Sequence, residues 1–186
     1  MEPDIRFDSL IAFLKHFDQP GSIVLLEGKR KVLPEDATRL MQLGRLLVEN
    51  SSYMRFRSGN ATGADELFSA GVAARDASRL EVIKPYASHR NAAMVAGENY
   101  SLDEIDLAAE AEVIYHTSNA LTIKAAYIIR DTVKVTGTVS GIKPATVALF
   151  YDDLQKPLQG GTGHTMRTCQ GLKIPYCNQT SWFQWL

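Results

Sequence analysis

A chain of 186 residues with 45% hydrophobic and 22% charged residues is long enough to bury one core, short for two, and too apolar to be disordered or fibrous. Its formal net charge of -1 and pI near 6.4 supply no global field that draws it onto nucleic acid or an anionic membrane, so a nucleic-acid contact would need a local basic patch. The opening MEPDIRFDSL carries acids where a signal peptide carries bases, and no apolar run approaches the ~18 residues of a bilayer span, so a cytoplasmic protein without a membrane partner is expected. Cys169 and Cys177 have no Cys or His neighbours at zinc-ligand spacing, which indicates neither a disulfide framework nor a metal site.

Phe7, Leu10, Ile11, Leu14 and Phe17 recur at helical spacing until Gln19-Pro20-Gly21 stops them, which predicts an amphipathic first helix. Ser22 to Glu27 (SIVLLE) is a nearly continuous apolar run ending in Gly28, the pattern of a strand buried on both faces in a parallel sheet. Pro34 opens a second helix with Glu35 and Asp36 in its first turn and a stripe of Leu40, Met41, Leu47 and Val48. A strand from Tyr53 to Arg57, a glycine turn, a helix from Ala64 to Ala74 and a strand from Leu80 to Ile83 repeat the alternation. Residues 85–102, with His89, Arg90, Asn91 and Asn99, read as polar and irregular, residues 103–111 as a short helix, and Ala120 to Thr136 as a long one. TVALFY (146–151) is again a strand; a loop, a helix from His164 to Gly171 and a last strand over 174–177 follow. The expectation is one α/β domain over 1–186, a Rossmann-like three-layer fold with a mainly parallel sheet of about five strands.

Two glycine clusters follow strands, where a parallel sheet binds ligands and where helix N-termini offer unpaired N–H groups. Ser58-Gly59-Asn60-Ala61-Thr62-Gly63-Ala64-Asp65 joins residues tolerant of positive φ to hydroxyl and amide groups suited to phosphate oxygens. Gly160-Gly161-Thr162-Gly163-His164-Thr165 offers bare amides before a helix, with His164 as a further donor. Neither turn has the Gly-Lys-Ser/Thr of a Walker A loop or a clean GxGxxG with an acidic ribose ligand, which disfavours ATP hydrolysis and NAD-dependent hydride transfer. No cofactor is required by these motifs; a bound nucleotide or phosphate is what they suit.

SGNATGAD after a strand and GGTGHT before the last helix resemble the SLOG superfamily, whose branches include DNA-processing protein A (Smf) and the lysine-decarboxylase-like LOG proteins; the resemblance runs over residues 22–178. It implies ligand contact at Ser58, Gly59, Asn60, Thr62, Gly63 and Asp65, and phosphate contact at Gly160, Gly161, Thr162, Gly163 and Thr165, with His164 standing where the family usually has threonine. LOG phosphoribohydrolases carry a glutamate just after the second turn, where this chain has Met166 and Arg167; binding without that carboxylate's chemistry is the implication.

Further candidates sit at strand ends. Arg30, flanked by Lys29 and Lys31, and His89-Arg90 could reach an anionic ligand. Asp65 suits a ribose contact or a general base, and equally the positive end of a helix; Asp65, His164 and His89 are the acid–base candidates if the protein is a nucleotide hydrolase. Asp152-Asp153 reads as a surface pair, and His16 and His116 carry no spacing argument. Trp182, Phe183 and Trp185 suit packing at the domain edge or a homodimer contact. The favoured function is binding of a nucleotide or nucleotide derivative. The alternatives are N-glycosidic hydrolysis and single-stranded DNA binding on a rim of Arg30, Arg57, Arg90 and Arg167.

Overall fold

The structure, a computed structural model, describes residues 7–90, 96–117 and 125–186. Helix α1 spans Leu10–Phe17, and the alternating core is β1 (Ile23–Gly28), α2 (Pro34–Asn50), β2 (Arg55–Ser58), α3 (Ala64–Asp76) and β3 (Leu80–Lys84). The second half holds β4 (Glu98–Ser101), α4 (Ala111–Thr117), α5 (Ala125–Thr136), β5 (Val147–Tyr151), α6 (Gly160–Leu172), β6 (Tyr176–Asn178) and α7 (Gln179–Trp182). All pairings are parallel, in the order β4-β3-β2-β1-β5-β6. The α/β, Rossmann-like three-layer expectation holds, with six strands rather than five.

The extra strand is β4. Its sequence ENYS lies at the sheet edge with alternating half-exposed positions, so it needs no apolar run and the sequence shows none. The stretch expected to form a helix over 103–111 instead makes short 3₁₀ turns at Leu102–Glu104 and Leu107–Ala109 before α4 begins. Side chains of Ser101 and Asp106 accept backbone N–H groups there and close each turn locally. Helix α6 starts at Gly160 rather than His164, so the second glycine cluster is the helix's own first turn. Asn91 and residues 120–124 lie outside the described residues.

Alternation along the strands divides the core. Val24, Leu26, Phe56, Val82, Leu149 and Tyr151 face α1, α2 and α3, whereas Leu25, Ala148 and Phe150 face α5 and α6. Leu40, Leu43 and Leu47 of α2 are fully buried; each such side chain contributes about 1.5–3 kcal/mol of transfer free energy. Trp182 is buried with Nε1 donating to the Phe150 carbonyl, and Trp185 packs on Phe13 with ring centroids 5.0 Å apart. These C-terminal aromatics therefore seal α1 onto the sheet. Among the described residues no helix is long and apolar enough to cross a membrane.

From β1 the chain moves one way through β2, β3 and β4, then crosses to β5 on β1's other side. The carboxyl ends of β1 and β5 thus form the switch point at which a parallel sheet opens a crevice.

Candidate functional site

A cleft of about 450 Å³ occupies that crevice. Its walls come from the end of β1 (Glu27 to Arg30), the start of α3 (Ala61, Asp65), α5 (Tyr127, Ile128, Arg130, Asp131) and the start of α6 (Gln159 to Thr162). Both glycine clusters reach it, one from each side of β1.

The first turn is tied into the protein. Asp65, buried at the first turn of α3, accepts the Gly28 N–H on Oδ1 at 3.1 Å and the Gly59 N–H on Oδ2 at 3.2 Å. Ser58 is fully buried, and its Oγ accepts the Asn60 N–H at 3.4 Å. Gly63 has φ +91, and a Cβ there would lie 2.2 Å from the Arg30 carbonyl oxygen; the close crossing of the two chain segments requires glycine. Thr62 is exposed and does not line the cleft. Arg90 lies outside the turn, donating to the Asn60 carbonyl at 3.3 Å and pairing with Glu66 at 3.2 Å.

The second turn is open. Gln159, the residue before α6, makes no side-chain cap, and no acidic residue stands in the helix's first turn. Gly163 N–H closes the first helical bond to the Gln159 carbonyl at 3.0 Å, which leaves the amides of Gly160, Gly161 and Thr162 outside the helical ladder, beside the cleft and beside Asp131, whose Oδ2 lies 2.8 Å from where a Gly161 Cβ would stand. Gly163 is held by close packing, since a Cβ there would sit 2.0 Å from the Leu158 backbone, and its N–H is already used within the helix. Thr165 points inward and donates to Glu27 Oε1 at 2.8 Å. His164 faces α5, where Nε2 meets Thr132 Oγ1 at 2.8 Å, and burial pulls its pKa down. His89 is buried against Tyr86 and Tyr127, and burial followed by the charge of Arg130 lowers its pKa too. Both imidazoles are therefore neutral at pH 7.

Beneath the cleft lies a cluster that the sequence does not announce. Lys134 Nζ is 2.7 Å from Glu27 Oε2, 3.0 Å from Asp131 Oδ1 and 3.9 Å from Asp65 Oδ2. Arg130 donates from Nη2 and Nε to Asp131 Oδ1 at 2.7 and 3.1 Å and from Nη1 to the Gly59 carbonyl at 3.1 Å. Lys134 Nζ and Glu27 Oε2 are close but meet at an angle outside hydrogen-bond geometry. Burial opposes the ammonium of Lys134, but Asp131, Glu27 and Asp65 outweigh it and raise its pKa; burial likewise opposes the Asp131 carboxylate, and Lys134 and Arg130 outweigh it and lower its pKa. Glu27 goes the other way: burial, with Asp131 and Asp65 adding to it against Lys134, pushes its pKa from 4.5 to about 8. The sequence signal was there in outline. Glu27 is a lone acid closing an apolar strand, and Arg130, Asp131 and Lys134 recur at one-turn spacing on an otherwise apolar helix.

Arg30 is exposed at the mouth, its guanidinium 5.8 Å from the Tyr127 ring centroid; Arg130 approaches the same ring at 5.4 Å. The four-arginine rim needs correction. Arg57 is fully buried, donating to the carbonyls of Lys134 at 2.9 Å and Lys143 at 2.7 Å, because a strand residue on the α5 side of the sheet has no route to solvent. Arg167 lies in a separate groove with Glu112, Tyr115 and His116 and donates to the Leu158 carbonyl. Asp152 accepts the Leu158 N–H and shapes the loop into α6. Lys29 and Arg30 line the cleft near its mouth and Arg130 lines its wall, whereas Arg90 lies outside it.

No protein-family model matches the sequence, and a search of curated proteins finds no match. Among solved structures, DNA processing protein A from Helicobacter pylori superimposes with a TM-score of 0.58 at 18% identity, over 88% of this chain and 67% of that one. That structure is described by its unique mode of single-stranded DNA binding. At this identity the likeness is one of fold: this chain folds like DNA processing protein A, with the same Rossmann-like parallel sheet.

Proposed function

We propose that the chain is a SLOG-type protein whose switch-point cleft binds a nucleotide unit by its phosphate. The observation that carries this reading is the uncapped start of α6: the amides of Gly160, Gly161 and Thr162 border the cleft with no acid in the helix's first turn. An anion there completes three orphan donors and gains about 0.3–1 kcal/mol, up to ~2 when partly buried, from the helix dipole. Arg30, exposed at the mouth, supplies positive charge. The first turn contributes shape rather than donors, since Asp65 already fills the amides of Gly28 and Gly59.

A second reading makes the phosphate part of single-stranded DNA, and the likeness in fold to DNA processing protein A supports it. Lys29, Arg30 and Arg90 then act as a short basic track beside the cleft. Fluorescence anisotropy with labelled oligo-dT, competed by nucleoside monophosphates, separates the two. If a polymer is the ligand, oligo-dT binds with an affinity that falls steeply with salt, and monophosphates compete only weakly. If a free nucleotide is the ligand, monophosphates bind directly and oligo-dT does not. Arg30→Glu weakens either ligand by about tenfold or more, equivalent to ~1.4 kcal/mol; unchanged affinity in that variant removes the cleft from consideration.

A further inference from the structure

The buried cluster carries an imbalance that the cleft above it should feel. Three carboxylates, from Glu27 on β1, Asp65 on α3 and Asp131 on α5, face two cations, Arg130 and Lys134, both on α5. Helix α6 adds the Thr165 hydroxyl on Glu27 Oε1 and the Cys169 thiol, which burial holds in its protonated form. Lys134 is fully buried, and Glu27, Asp65 and Asp131 are each nearly so. Glu27, Asp65, Arg130 and Asp131 all line the same cleft as the free amides of α6.

We propose that Glu27 is a proton-linked gate on anion binding, so that the cleft takes up its phosphate together with one proton from solvent. The inference rests on the phosphate reading above and names a regulation of that site. With Glu27 protonated, two carboxylates balance two cations and the cleft floor is neutral. With Glu27 ionised, the floor carries one net negative charge in a medium that screens poorly, directly under the arriving anion. The protonated floor therefore binds the anion better, and the bound anion in turn holds the proton on Glu27, because the coupling is reciprocal. The proton adds to a Glu27 carboxylate oxygen and no other bond changes. Lys134 does not substitute for Glu27 as the titrating group, since Asp131, Glu27 and Asp65 together hold its ammonium charged.

The transition falls where the fold has placed the Glu27 carboxyl, near pH 8. Oligo-dT is the probe for a polymer ligand because its phosphodiesters do not titrate in this range; adenosine monophosphate, whose phosphate is already dianionic above about pH 7, serves for a free one. Affinity is measured from about pH 6 to pH 9 for wild type, Glu27→Gln and Asp131→Asn. Wild type is expected to weaken at least about threefold between pH 7 and pH 9, approaching tenfold per unit if the coupling is complete. Glu27→Gln is flat over that range. Asp131→Asn, which balances the charges with Glu27 ionised, moves the transition to lower pH and guards against a folding defect in Glu27→Gln.

A flat wild type, or a Glu27→Gln variant that keeps the wild-type slope, overturns the gate while leaving phosphate binding intact. Absence of binding to both probes at every pH overturns the phosphate reading and the gate with it. The proton itself is then read without ligand, by ¹³C-carboxyl NMR of the whole chain with Glu27→Gln assigning the resonance. A Glu27 carboxyl that titrates below about pH 6 shows that the fold stores no proton there.

Discussion

The turn from Ser58 to Asp65 and the turn from Gln159 to Thr165 both follow parallel strands and both border one cleft, yet their amides have opposite fates. In the first, Asp65 accepts from Gly28 and Gly59 and thereby pins the ends of β1 and β2 together. In the second, Gln159 makes no side-chain cap, and Gly160, Gly161 and Thr162 form the bare first turn of α6. The carboxylates differ in how they meet the turns: Asp65 accepts two amides at the first, whereas Asp131 lies beside Gly161 of the second, is paired with Arg130 and Lys134, and caps no amide there. A glycine-rich loop thus indicates close backbone approach, and only the acceptors around it decide whether a ligand is what approaches.

The first turn's role as scaffold can be broken most severely from below. Lys134→Ala removes the ammonium that lies near Glu27, Asp131 and Asp65 at once, and leaves buried carboxylates without it. The expected loss is about 3–5 kcal/mol of stability, visible as a lower midpoint in urea denaturation. If Lys134→Ala unfolds at the wild-type midpoint, the cluster does not brace the first turn and the contrast between the turns fails.

The legible and illegible parts of the molecule divide along physical lines. SIVLLE and TVALFY read directly as strands because β1 and β5 are covered on both faces and so need unbroken apolar runs. ENYS does not, since β4 is an edge strand with half-exposed side chains. The start of α6 is not legible because glycines read as loop, whereas the first turn of a helix has no amide bonds of its own to lose and tolerates them. Arg57 looked like a surface base and is instead sealed under α5. The ionic cluster was hidden for the same reason: charged residues default to the surface in any sequence reading, and these become a core only when β1, α3 and α5 converge. Glycine spacing found both walls of the cleft and missed its floor.

The contrast can also be abolished from the other side by giving the second turn an anion of its own. Gln159→Asp places a carboxylate at the N-cap of α6, where the present residue makes no side-chain bond. The cap is expected to stabilise the protein by about 0.5–2 kcal/mol while occupying the amides a phosphate would use. Binding of oligo-dT or nucleoside monophosphate should therefore fall by tenfold or more, or about 1.4 kcal/mol, as the melting temperature rises. Opposite changes in stability and affinity from one substitution mark a site that is open by design of the chain. Should both rise together, the ligand does not sit on the start of α6.

Arg90→Ala gives the smallest expected effect and the finest test of the first turn. The guanidinium pairs with Glu66 across a solvent-exposed gap and touches the Asn60 carbonyl from outside; an exposed pair of this kind is worth about 0–1 kcal/mol. Its loss should leave the urea midpoint nearly unchanged. Affinity for a free nucleotide should also be unchanged, because Arg90 does not line the cleft. For oligo-dT the expectation differs: one phosphate contact fewer along the basic track lowers the slope of log affinity against log salt by about 1. A salt slope that drops only for the polymer means that the strand passes over the first turn after its phosphate has docked on the second. An Arg90→Ala variant that weakens mononucleotide binding as much as Arg30→Glu does would instead make the first turn a ligand contact in its own right, and the division of labour between the two turns would have to be redrawn.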